Sequence, residues 1–66
     1  MTGEQFREYR KAAGYTQKQL GYILGYRDSS AERIIQIWEH NVRPIPIKHW
    51  RTLSALLNIT MDKFIP

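Results

Sequence analysis

Within its first 32 residues the chain repeats one helix-start phrase three times: Thr2-Gly3-Glu4-Gln5, Thr16-Gln17-Lys18-Gln19 and Ser29-Ser30-Ala31-Glu32. In each, a hydroxyl residue is followed three places on by Gln or Glu. That is the capping box, in which the two side chains satisfy each other's free backbone donors. Gly14 and Gly25 fall where the first two helices need a left-handed residue to stop. The chain is thereby committed to short helices. The apolar residues agree, recurring at helical spacing: Phe6, Tyr9 and Ala13 in the first helix, Leu20, Ile23 and Leu24 in the second, Ala31, Ile34, Ile35 and Trp38 in the third.

Asn41 is the expected end of the third helix. A fourth is expected to start near Pro46, since proline lacks an N–H that a first helical position does not use. Ile45, preceding that proline, is pushed to extended backbone. The stripe of the fourth helix is Ile47, Trp50, Leu53 and Leu57, and Thr60 is placed to cap a last turn, Met61 to Phe64. No segment alternates with period two, and no repeat or linker interrupts the chain. The expectation is an all-α fold, four helices and a short fifth, in a single domain over residues 1–66.

Composition narrows the function classes. A domain of 66 residues buries only about 60% of the surface its unfolded chain exposes, too little protein to wall a long catalytic cleft. The absence of cysteine removes disulfides and thiolate zinc sites. His40 and His49 lack the spacing and carboxylate support of a metal pair. No Gly-rich phosphate loop, H-E-x-x-H or G-x-S-x-G is present, and Ser29, Ser30 and Ser54 have no His/Asp constellation. No enzyme, cofactor, metal or small-molecule ligand is therefore expected. No run approaches the roughly 18 apolar residues of a membrane span, and the polar start Met1 to Gln5 is not a signal peptide, so a cytoplasmic setting is expected. Ten Lys and Arg against six Asp and Glu leave a formal charge of +4, which points to an anionic partner.

Two short helices, Thr16–Leu24 and Ser29–His40, are joined by Gly25-Tyr26-Arg27-Asp28. That is the helix-turn-helix plan, here over about residues 16–40, in which the second helix enters a DNA major groove. The run from Gly14 to Tyr26, with Thr16-Gln17, Leu20, Leu24 and Gly25 in register, then Trp38-Glu39 and Arg43-Pro44, resembles the lambda-repressor-like (Cro/cI, xenobiotic-response-element type) family. The resemblance covers about residues 6 to 59. It implies a compact DNA-binding domain in a prokaryotic or phage-infected cell. Two departures stand out. Gly21 replaces the family's usual alanine, at roughly 1 kcal/mol of helix propensity, and is placed to let the third helix come closer. Twelve residues separate Tyr26 from Glu39, about one helical turn more than the family's line. Small phage-encoded repressors, including regulators associated with anti-CRISPR genes, look like this with a lengthened turn.

At about 100° per residue, Ser29, Arg33, Gln36 and His40 point away from the apolar side of the third helix. This outward stripe is expected to be polar and free of acid. Arg pairs bidentately with guanine and Gln with adenine, and an apolar side chain meets the thymine methyl. Arg33 and Gln36 are the expected base readers, supported by Ser30 and Ile37. Lys18, Arg27, Arg43 and Lys48 are candidate phosphate contacts, as is Gln17, whose family counterpart grips a phosphate. The resemblance also implies an ion pair of Arg10 with Glu39. Trp38 and Trp50, in phase with the aliphatic residues, are core candidates.

The expected function is sequence-specific transcription regulation, as a dimeric repressor (autorepressor) on an inverted repeat in double-stranded DNA. Leu56, Ile59, Met61, Phe64 and Ile65 are the candidate homodimer surface. The alternative is a protein-interaction module, antitoxin-like or adaptor, that keeps the shape without specific DNA binding. A basic membrane-surface peptide is weaker, because capped helices and in-phase tryptophans describe a packed globule.

Overall fold

Thr2 and Thr16 cap their helices as the spacing predicts. In the computed structural model, which describes residues 1–65, Thr2 Oγ1 accepts from the Gln5 N–H at 3.1 Å and Gln5 Oε1 accepts from the Thr2 N–H at 2.9 Å. Thr16 and Gln19 repeat the exchange at 3.0 and 2.9 Å. The helices so started are α1 (Gly3–Ala12) and α2 (Gln17–Ile23). Beyond them Gly14 (φ +86°) and Gly25 (φ +100°) take the left-handed conformation that side chains disfavour.

The third phrase is not a capping box. α3 spans Ser29–Glu39, so Ser29 lies inside the helix, and Asp28 before it makes no side-chain cap. The chain enters through Asp28 at φ +54°. The Ser30 N–H then donates to Arg27 O at 3.1 Å and the Ala31 N–H to Asp28 O at 3.2 Å. These i→i−3 bonds satisfy the Ser30 and Ala31 donors, which are not the Ser29 and Glu32 N–H groups that a box would engage, and the Glu32 side chain is left for other contacts.

After α3, a 3₁₀ turn (Ile47–His49) leads from Pro46 directly into α4 (Trp50–Leu57), and a second 3₁₀ turn (Met61–Phe64) follows. Thr60 precedes that last turn without a side-chain cap. Among the described residues there is no strand, and no helix is long and apolar enough to cross a membrane.

The core gathers Phe6 from α1, Leu20 from α2, Ala31, Ile35 and Trp38 from α3, Leu53 and Leu57 from α4, and Phe64 from the last turn. Phe6 meets Trp38 edge-on, with ring centroids 6.1 Å apart. Trp50 is half-buried; its ring stacks on Phe64 at 5.8 Å and its Nε1–H donates to Ile45 O at 2.9 Å. Three expected inward residues point out instead. Ala13 is exposed, because α1 ends at Ala12 and Ala13 is only its C-cap. Ile47 is 73% exposed, because it lies in the tighter-wound 3₁₀ turn rather than in α4. Ile23 is 49% exposed, because α2 meets α3 through Leu20 and Gly21. A Cβ on Gly21 would overlap the Ala31 carbonyl and stand 2.6 Å from Ala31 Cα. The two backbones touch there, and Ile23, about 200° round the helix from Gly21, is turned away.

Candidate nucleic-acid interface

α3 sorts its residues by direction. Ala31, Ile35 and Trp38 are buried, while Ser29, Arg33 and His40 on the opposite side are exposed. The exposed side is bordered by two different flanks.

One flank is a shallow concavity of about 350 Å³ lined by Tyr26, Ser30, Arg33, Ile34 and Ile37. Ser30, Arg33 and Ile37 recur at i, i+3 and i+7, so they stand in one row along the helix. Ile34 and Ile37 are half-buried and pack against the core, which leaves part of each apolar side chain open beside the Arg33 guanidinium. The Tyr26 ring closes one wall. It packs edge-on against Trp38, with centroids 6.3 Å apart, and its hydroxyl lies 2.9 Å from His49 Nε2. His49 is held below its ordinary pKa near 6.5, first by burial and second by the neighbouring Lys48 charge.

The other flank is polar and hydrogen-bonded. Arg10 Nε donates to Glu39 Oε2 at 2.6 Å, inside the globule, and Arg10 Nη1 donates to Tyr15 O at 2.8 Å. Gln17 Nε2 donates to Glu39 Oε1 at 3.0 Å. Gln17 Oε1 accepts from Gln36 Nε2 at 3.3 Å, and Glu32 Oε1 accepts from the same nitrogen at 3.4 Å. An unbroken relay thus runs from the buried ion pair through Gln17 to the rim of α3. The groove beside it is lined by Glu4, Arg7, Glu8, Gln17, Glu39 and His40.

Ser30, Arg33 and Ile37 come together in the concavity, but Gln36 is half-buried on the opposite flank, its amide nitrogen engaged. The outward side is also not free of acid, because Glu32 is exposed and contacts Gln36. The i, i+4 spacing of Glu32 and Gln36 carried that signal. A projection that weighs only the centre of a stripe passes over its edges. Tyr26 was missed as a wall of the concavity because a turn residue has no helical phase.

Among the candidate phosphate contacts, Lys18, Arg27, Arg43 and Lys48 are exposed, whereas Gln17 is half-buried with one amide hydrogen directed at Glu39. Lys18 Nζ lies 6.0 Å from the Tyr22 ring centroid. The candidate dimer surface needs correction. Phe64 belongs to the core, stacked on Trp50, and Leu56 and Ile59 are half-buried against the same cluster. Only Met61 and Ile65 of that set are exposed, at 42% and 59%. Among the described residues no three His, Cys, Asp or Glu side chains cluster as metal ligands.

No family model, curated protein or solved structure matches the chain.

Proposed function

We propose that the chain is a sequence-specific DNA-binding transcriptional regulator: a lambda-repressor-like helix-turn-helix domain acting as a dimeric repressor on an inverted-repeat operator. The observation that carries this reading is the solvent exposure of the side of α3 opposite Ala31, Ile35 and Trp38, with Arg33 at its crown. The DNA major groove admits one α-helix, and an arginine on its outer side matches the two acceptors of a guanine edge. Ile37 offers apolar contact to a thymine methyl beside it. The excess of basic residues and the exposure of Arg27, Arg43 and Lys48 suit the phosphate backbone, which positions a protein without reading sequence. A single module of this size buries too little DNA for tight binding, so a two-fold pair of chains is part of the reading. Within the expected dimer surface, Met61 and Ile65 are the exposed apolar groups left to join them.

Selection of bound sites from a pool of random duplexes tests this. The expected product is an inverted repeat containing a guanine that Arg33→Ala no longer prefers, at a cost of about tenfold or more on the selected duplex. Arg43→Ala and Lys48→Ala are expected to weaken selected and scrambled duplexes alike and to lower the salt slope by about one each. No salt-dependent binding to any duplex would overturn the reading and favour a protein-binding module.

A further inference from the structure

The amide orientation of Gln36 is set by a chain of partners that begins in the core. Glu39 is held by Arg10 and offers only acceptors. It therefore draws the NH₂ group of Gln17, at 3.0 Å. That turns Gln17 Oε1 toward Gln36, which answers with its own NH₂ at 3.3 Å, and the second hydrogen of that NH₂ faces Glu32 Oε1 at 3.4 Å. Both donors of Gln36 are engaged. Among the described residues no donor meets Gln36 Oε1, and the remaining oxygen of the exposed Glu32 carboxylate likewise has no partner.

At Glu32 and Gln36 the rim of α3 therefore presents oxygen acceptors, with the donors of Arg33 next to Glu32 in the chain and one turn from Gln36. We infer that Glu32 and Gln36 form an acceptor edge that selects the exocyclic amine of a cytosine in the major groove, next to the guanine read by Arg33. This rests on the DNA-binding reading above and names what a second part of that same surface recognises. Cytosine fits better than adenine for a stated reason. Cytosine shows the groove an amine donor and no acceptor, whereas adenine shows its amine beside N7, an acceptor. N7 would face an edge with no donor to spare. The carboxylate also repels phosphate, so any sequence that fails to supply an amine is bound more weakly, and discrimination comes partly from that penalty.

The test uses the full chain and three proteins: wild type, Glu32→Gln and Glu32→Ala. Site selection from random duplexes is followed by titration on the selected duplex and on its single-pair variants. Circular dichroism and urea midpoints verify that the exposed substitutions leave the fold intact. Wild type is expected to select a cytosine in each half-site and to lose about tenfold or more when that pair is replaced by adenine–thymine. Glu32→Gln, which gains donors while keeping an acceptor for Gln36, is expected to move the preference at that position toward adenine. Glu32→Ala is expected to lose it. An operator selected by wild type and recovered unchanged by Glu32→Gln would overturn the inference and leave the function standing. So would a rise in affinity for every duplex with no change in preference, since Glu32 would then act as repulsion only. No salt-dependent duplex binding by wild type would remove the function and the inference together.

Discussion

Arg10 and Glu39, 29 residues apart in the chain, meet at 2.6 Å with both side chains nearly sealed from water. The pair ties α1 to the last residue of α3, and Arg10 also holds the Tyr15 carbonyl that leads into α2. One side chain thus fastens three helices. Removing one partner of a buried pair leaves the other charge uncompensated, at about 3–5 kcal/mol. For a chain this short that approaches the whole folding free energy, roughly 3–10 kcal/mol by typical per-residue values. Arg10→Met is therefore expected to be partly unfolded at room temperature by circular dichroism. A urea midpoint close to that of wild type would show that the pair is no tether.

Gly21→Ala offers a contest between two effects of opposite sign. Alanine gains about 1 kcal/mol of helix propensity over glycine. Its methyl group, however, would overlap the backbone carbonyl of Ala31, which has no rotamer with which to retreat. Overpacking of this kind costs about 1–3 kcal/mol, more where backbone must shift. The net expectation is destabilisation, read as a lower urea midpoint. A stabilised Gly21→Ala would mean that α2 and α3 are not in backbone contact.

His49 makes stability depend on pH near neutrality. Its pKa in the folded chain lies below the ordinary value near 6.5, owing to burial and then to Lys48. The unfolded chain therefore binds the proton more readily. The associated stability is fully present above about pH 6.5 and is lost as pH falls through the folded value. Urea midpoints across that window should fall toward acid in wild type and fall less in His49→Gln. Parallel curves for the two proteins would count against the assignment.

The two ends of the last turn should separate cleanly under mutation. Phe64→Ala empties a core position stacked on Trp50 and is expected to cost about 3–5 kcal/mol. Met61→Glu and Ile65→Glu alter exposed positions and are expected to leave the urea midpoint nearly unchanged while weakening self-association in sedimentation equilibrium. Sedimentation unchanged by both would count against the proposed pairing through this turn.

The helices and most of the core were legible in the residues themselves, because capping and helical phase are local. Thr2 and Thr16 act within four residues of chain, and both capping boxes form. Ser29 shows the limit: its neighbours fit the phrase, yet the helix is entered one residue earlier, through Asp28, so that Ser29 is already helical and caps nothing. Ile23 and Ile47 have the right spacing but not the right surroundings. One is displaced by a helix contact centred on a glycine, the other by a change of winding. The side-chain relay from Glu39 to Glu32 is long-range and depends on how two amides are turned, which no periodicity encodes. The same holds for Phe64, whose partner Trp50 lies across a helix.

The contact of α2 with α3 at Gly21 bears on how the pair would meet any target. No side chain lies between the two main chains there, so at that point the helices cannot move closer without backbone meeting backbone. The unit arrives with its spacing there already set. Association should then be limited by orientation in solution rather than by internal adjustment, and changes in affinity among its variants should show up in how long the complex lasts.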